Sequence, residues 1–393
     1  MHIMISVEEA LRLVEEYSQP LKAKVLSLQN FTGKFLAEDV FSPINMPPFN
    51  QSAMDGYALH YSDQIESYTV IGEIAAGDTG QFELKAGEAV RIFTGALVPD
   101  SANTVVKQEI VEREGDQIKI TEPIAVGQNI RLAGEQIKQG ELALKKGSHL
   151  SAPAVGFLSG LGLNQLNCIP HPSISIIATG SELVKPGTPL STGKIYESNS
   201  YMLAAGLKQY GFTDFDVIQI EDTYESTKKT IQQALETKDI LILSGGISVG
   251  DYDFVGKALN EIGVEQIFYK VRQKPGKPLF FGRYKDKYIF ALPGNPAAAM
   301  TSFLTYILPA LGKISGAGFI GLRKDTANLD VAFHNKANRS VFLKAYSENG
   351  KVKLLDGQSS AILKSLSEAN CFIYVPAGVN EILEGDEVDI LWL

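Results

Sequence analysis

Between His171 and Ala299, short apolar runs alternate with amphipathic ones, and this alternation constrains the fold more than any other feature of the chain. Strand-like runs fall at Ile174–Ala178, Phe215–Ile220, Ile240–Leu243 and Glu265–Val271, with helix-like runs between them at about 199–210, 224–236 and 253–262. Gly211 and Gly263 follow two of those helices as C-terminal stops. A strand–helix–strand repeat of this kind predicts a parallel sheet covered by helices. Phe280-Phe281 and Lys287–Ala291 predict a hairpin around Tyr284–Asp286, and a last helix starts after Pro296.

The flanking segments have a different texture. Ser6-Val-Glu-Glu9 reads as a capping box, followed by Val7, Ala10, Leu11, Val14 and Tyr17 on one helical face. From about Phe41 to Ile137 short β-branched runs, Tyr68–Ile71, Thr104–Val106 and Gln117–Ile120, are separated by Gly-Asp and Gly-Glu turns. Helical texture returns at Ser151–Leu163, so the simplest organisation inserts a β-rich module between two halves of one helical unit. After Asp325 the alternating runs Ser340–Leu343, Cys371–Val375 and Glu387–Trp392 predict a small terminal β-barrel. The expected partition is 1–42 with 138–170, 43–137, 171–322 and 323–393. It suits 393 residues, a length that predicts two to four domains at about 150 residues each.

Charge and cysteine content narrow the function. The formal net charge is −9, from 36 basic and 45 acidic residues, which argues against a broad nucleic-acid or anionic-lipid surface. Any anionic ligand therefore needs a local basic cluster. Two cysteines, Cys168 and Cys371, with no CxxC pair, argue against a disulfide framework or a structural zinc site and suit a reducing cytoplasm. The start MHIMISVEEA meets acid at Glu8 before an apolar core develops, so no signal peptide is expected. The stretch Gly147–Ser181 lacks charge but carries prolines, Asn164, Asn167 and His171, which does not suit a membrane span.

In open α/β sheets ligands bind at the carboxyl ends of the strands, so the loops there carry the functional signal. Four stand out: Ala178–Glu182, Ser244–Asp253, Gln273–Pro278 and Leu292–Pro296. Ser244–Gly250 is Gly-rich and leads into a helix, so its amides suit a phosphate or another oxyanion, although a plain βα turn has the same look. Its core also has the GxSxG spacing of a serine-hydrolase elbow, through Gly246, Ser248 and Gly250. That chemistry needs a downstream acid and histidine, and only His334 follows, in the expected barrel. No P-loop, GxGxxG or HExxH motif occurs.

Lys270, Arg272, Lys274 and Lys277 place four cations within eight residues, stiffened by Pro275 and Pro278. On a strand end, Lys270, Arg272 and Lys274 would alternate onto one face suited to an oxyanion; a solvated loop is the bland alternative. Glu182, Asp251 and Asp253 are hard oxygen ligands suited to Mg²⁺, while Asp253 also stands where a helix N-cap belongs. Met46–Ala58 and Arg91–Ala96 lie outside the sheet, and physics alone does not choose between turns and oxyanion donors for them.

Taken together, Pro48–Ala58, Arg91–Ala96, Thr179–Leu183, Ser244–Gly250, Lys274–Pro278 and Leu292–Pro296 resemble, in order, the motifs of the molybdopterin molybdenumtransferase family, the MoeA type also found as the E domain of gephyrin. The resemblance spans nearly the whole chain. It implies a multidomain α/β plus β fold: a MogA-like α/β domain at 171–322, an inserted β-rich domain, a discontinuous N-terminal dimerisation domain and a C-terminal β-barrel. It also implies a cytoplasmic homodimer that inserts molybdate into adenylylated molybdopterin with Mg²⁺, releasing AMP. A molybdopterin adenylyltransferase is the implied protein partner, and neither nucleic acid nor membrane is involved.

Carried residue by residue, the resemblance makes Asp55, Thr94, Glu182, Asp253, Lys270 and Lys274 catalytic. Gly245, Gly246, Ser248, Gly250, Arg272, Lys277, Pro293, Pro296, Arg131 and Ser360 would bind substrate, and Glu182, Asp253 and Asp222 would hold the metal. It also sets Asp55 and Thr94 opposite Glu182 and Asp253 across a dimer interface. Three departures from the family pattern bear on these assignments. Gln136 ends the Arg131–Gln136 motif where an acid is usual, Glu221-Asp222 replaces an Asp pair with a one-residue shift, and Lys344 stands where an Arg is often found. They leave a specialised paralogue or a non-catalytic molybdopterin-binding scaffold as the alternative.

Overall fold

The computed structural model describes residues 4–80, 82–247, 254–336 and 338–393. The chain forms two compact units, Met1–Val25 with Gly33–Ala37 and Asn167–Leu393, and Leu26–Thr32 with Glu38–Leu166.

In the first unit the N-terminal helix α1 spans Val7–Tyr17. Ser6 Oγ accepts the Glu9 N–H at 3.1 Å, and Val7, Ala10 and Val14 are buried on one face, the arrangement that the capping box and apolar spacing predict. The α/β sheet contains β1 (Ile174–Thr179), β2 (Phe215–Ile220), β3 (Ile240–Ser244), β4 (Glu265–Tyr269), β5 (Phe280–Tyr284) and β6 (Lys287–Leu292), in the order β2-β1-β3-β6-β5-β4. Helices α2 (Asn199–Gln209), α3 (Tyr224–Thr237) and α4 (Phe254–Ile262) connect the strands.

The sheet is mixed: the expected hairpin is part of it, which adds two antiparallel pairings to the parallel strands. β2, β1, β3 and β6 are parallel, whereas β5 runs antiparallel between β6 and the edge strand β4. The reason lies in burial. Tyr288–Leu292 of β6 is buried on both faces and takes the inner place beside β3, carrying its hairpin partner outward. At the other edge β2 alternates between partly buried and exposed positions. β4 stops at Tyr269 because Lys270 adopts a left-handed backbone, φ +78°.

After β6, α5 (Pro296–Ser302) passes through a π-helical turn at Phe303–Ile307 into α6 (Leu308–Ile314). This stretch is long and apolar enough to cross a membrane by composition, but it is mostly buried against the sheet and the N-terminal helix. The chain then forms β7 (Lys324–Leu329), β8 (Ser340–Glu348), β9 (Lys351–Leu354), β10 (Cys371–Val375) and β11 (Glu387–Trp392). Pairings β8–β9, β9–β7, β7–β11, β11–β10 and β10–β8 close a five-stranded barrel around Leu343, Val352, Ile373 and Ile390. The closure is the expected one. Gln273-Lys274, in the loop after β4, adds a short parallel pairing to Ser340-Val341 of β8.

The second unit is built on a six-stranded sheet of Thr104–Lys107, Gly56–Leu59, Glu88–Ile92, Ser67–Ile74, Gln117–Ile120 and Val111–Glu114, in that spatial order. Gly56 sits on an inner strand where a Cβ would lie 1.8 Å from the Val106 carbonyl oxygen, so the Asp55-Gly56 pair needs its glycine. Cys168 and Cys371 are both free and buried, and burial pushes each thiol up to about 11.

Candidate functional site

The carboxyl ends of β1, β3 and β6 lie on one edge of the sheet because the three strands are parallel. β4 points the same way, since it and β6 are both antiparallel to β5. All four loops singled out in the sequence therefore meet there, around a cleft of about 1020 Å³.

Polar bonds tie the loops together beneath the cleft. Asn199, at the start of α2, donates both amide hydrogens, to Ser244 Oγ at 2.9 Å and to the Gly294 carbonyl at 2.8 Å. Asn295 donates to Ser360 Oγ at 3.0 Å, and the Ala297 N–H reaches the Ser360 carbonyl, joining the loop after β6 to a barrel loop. The glycines after β3 are required by shape. Gly245 has φ +92°, and a Cβ there would meet the Thr179 carbonyl oxygen at 2.3 Å. Gly246 has φ +65° and no space beside Val255.

One wall is basic. Lys274, Lys277 and Arg339 line the cleft, and among the described residues none of them forms an ion pair with a carboxylate. Glu182 and Asp222 also line the cleft, from the loops after β1 and β2, which stand at the other end of the strand order from β4 and its basic loop. Asp222 Oδ1 accepts the Thr179 hydroxyl at 2.9 Å, so this residue, and not Glu221, faces the cleft. Glu197 also lines it, but both its oxygens are taken by the Ser200 N–H and hydroxyl, which keeps it structural.

Of the residues expected from the sequence, Glu182, Asp222, Gly245, Gly246, Lys274, Lys277, Pro293, Pro296 and Ser360 line the cleft. Lys270 and Arg272 do not. The left-handed Lys270 breaks the strand alternation that would have aligned them, and its ammonium lies 4.7 Å from the Tyr269 ring centroid. The Arg272 main chain is held by Ile5 and Ser340, and its side chain is exposed. Ser248, Gly250, Asp251 and Asp253 lie outside the described residues. His334, the sole histidine available to a hydrolase triad, is exposed on the barrel 3.3 Å from Glu381.

Asp55, Thr94 and Arg131 belong to the second unit. Asp55 Oδ1 accepts both the Thr94 N–H and the Thr94 hydroxyl, each at 2.8 Å. The backbone bond, seconded by the hydroxyl, holds the Asp55 carboxyl below the usual carboxylate range. Arg91 supports this pair from below, stacked 5.0 Å from the Tyr57 ring and 5.2 Å from Phe93, and donating to the Gly56 carbonyl and to Gln108. Arg131 is exposed on a two-residue strand paired with Gln51 and Ser52.

Sequence reasoning missed Arg339, Asn199 and Gln273. The first two carry no local motif, and only the meeting of barrel and sheet loops reveals them. Lys344 is buried, and its ammonium donates to the carbonyls of Gly357, Ser359 and Ile362 at 2.5, 3.1 and 2.9 Å. It shapes the barrel loop that carries Ser360.

Residues 5–162 match the family description "MoeA N-terminal region (domain I and II)", 175–313 "Probable molybdopterin binding domain" and 326–393 "MoeA C-terminal region (domain IV)". A molybdopterin molybdenumtransferase of Haemophilus influenzae is 31% identical over 405 residues, covering 98% of each chain. One from Staphylococcus epidermidis is 32% identical over 400 residues, covering 98% of this chain and 95% of its own. Among solved structures, a molybdopterin biosynthesis MoeA protein of Pyrococcus horikoshii superposes with a TM-score of 0.81 at 29% identity, covering 99% of each chain.

Proposed function

Because the chain belongs to the molybdopterin molybdenumtransferase family of the MoeA type, we propose that it inserts molybdenum from molybdate into adenylylated molybdopterin, releasing AMP and the molybdenum cofactor. The observation that carries the reading is a cleft lined by Lys274, Lys277 and Arg339 and by the carboxylates of Glu182 and Asp222. Molybdate is a tetrahedral dianion and the adenylylated pterin carries a pyrophosphate, so both reactants call for cationic donors in a partly desolvated site. The Gly245-Gly246 turn lets a phosphate approach the backbone with no side chain in the way.

Glu182 and Asp222 line the cleft and are hard oxygen donors of the kind Mg²⁺ takes; among the described residues no third such side chain joins them, so substrate oxygens and water would complete the set. When bound, the ion neutralises charge on phosphate oxygens of the leaving AMP. Asp253 joins them on the strength of the family resemblance alone. In the second unit the Asp55–Thr94 pair is proposed to orient the reacting groups, with the protein acting as a homodimer in the cytoplasm and receiving its pterin from an adenylyltransferase.

The test is AMP release from adenylylated molybdopterin with molybdate and Mg²⁺. Molybdate-dependent AMP formation, lost in Glu182→Gln and strongly weakened in Lys277→Ala, is the expected result. Tight binding of the pterin with no AMP formed would replace this reading with the non-catalytic scaffold.

A further inference from the structure

The loop that presents Lys274 and Lys277 is held from beneath by one side chain. Gln273 is fully buried, and its amide nitrogen donates to the Pro275 carbonyl at 3.0 Å and the Gly276 carbonyl at 3.3 Å. Its amide oxygen accepts the phenolic hydroxyl of Tyr306, which is also fully buried. Gly276 has φ +85°, and a Cβ there would lie 2.9 Å from both the Gln273 amide and Ser302 Oγ, so the loop closes directly onto the clamp.

Tyr306 owes its aim to an irregular helix. It lies in the π-helical turn Phe303–Ile307, where the Leu308 N–H reaches back to Phe303. Pro309 follows and offers no N–H to the Thr305 carbonyl, which favours local widening of the helix at this point. Burial pushes the Tyr306 phenol well above its ordinary range, so it stays a donor. The backbone of Gln273 is meanwhile paired with Ser340 of the barrel, next to Arg339.

We infer that Gln273 and Tyr306 are positioning residues for the anion site: the pair sets the height and orientation of the Lys274–Lys277 loop beside Arg339. The inference rests on the proposed anion-binding role of that loop. Gln273 borders the cleft, but its amide groups are taken by the loop carbonyls and by Tyr306, so the pair acts through the lysines.

The test uses the full-length protein and molybdate alone as the probe, with binding measured by titration calorimetry. Tyr306→Phe leaves the Gln273 oxygen without its donor, and Gln273→Met removes the clamp from the other side at similar volume. Each should weaken molybdate binding about tenfold, the scale of a lost buried hydrogen bond. Each should also speed hydrogen exchange at the Val271 amide, which donates to the Lys277 carbonyl at 3.0 Å. In a Lys277→Ala background the further weakening by Tyr306→Phe should shrink to about twofold or less, because both act through one loop. Unchanged affinity with lower stability to urea, or an equal weakening in both backgrounds, overturns the inference. If Lys277→Ala itself leaves molybdate affinity unchanged, the anion-site reading fails instead.

Discussion

Asp55 owes its lowered pKa chiefly to Thr94, with the Arg91 charge adding to it. Both bonds to its Oδ1 come from Thr94, so Thr94→Val removes the hydroxyl bond and keeps the backbone one. The folded pKa lies below the ordinary one, so any stability from this pair is present above the unfolded carboxylate range and is lost as pH falls through the folded pKa. NMR titration should find Asp55 below the ordinary range, with Thr94→Val moving it upward; no upward movement would refute the assignment. Lys344 makes a different case, because its buried ammonium gathers three carbonyls of one loop. Lys344→Met removes all three bonds, leaving Gly357 with the Ser365 hydroxyl and Ser359 with the Ile362 N–H, and should cost about 1–3 kcal/mol in urea unfolding while weakening substrate binding through the Ser360 loop. Neither role was legible locally. The resemblance placed Asp55 in a motif, but its partner lies 39 positions away, and Lys344 read as a missing arginine until its carbonyl partners were visible.

At the scale of elements, the strands of the α/β sheet were nearly all legible because apolar runs such as Ile174–Thr179 and Ile240–Ser244 are buried on both faces. Their order was less so. The place of β6 beside β3 is decided by non-local burial, and a run of Tyr, Ile, Phe, Ala and Leu reads the same whichever strand it adjoins. The turn after β3 offers a sharp test, since Gly245 has both a left-handed φ and a 2.3 Å approach to Thr179. Gly245→Ala should lower stability by about 1–3 kcal/mol and displace the turn from the cleft. Circular dichroism melting with activity measured alongside checks this; a variant with full activity and an unchanged melting point would contradict the packing.

For the whole molecule, the proposed homodimer is open to a direct test. Sedimentation should give a species of twice the chain mass. If, as the resemblance implies, Asp55 and Glu182 serve a common reaction from different subunits, then mixing inactive Asp55→Ala and Glu182→Gln proteins under subunit exchange should restore part of the activity. No recovery after demonstrated exchange would place both residues in the service of one subunit. The basic cluster shows the limit of linear reading at this scale. The four cations near 270–277 looked like one site, yet the fold keeps Lys274 and Lys277, diverts Lys270 and Arg272, and adds Arg339 from the barrel.

The sequence by itself determined the element types of the α/β sheet, the closing of the terminal barrel, the family and the motif loops that line the cleft. These depend on short-range properties: apolar periodicity, glycine at strained turns and motif order. The tertiary structure alone decided which cations face the cleft, that Arg339 joins them from the barrel, and that a buried Gln273–Tyr306 pair supports the basic loop. Those outcomes depend on packing between segments far apart in the chain, where a left-handed residue or a widened helical turn redirects a side chain without leaving a local signature.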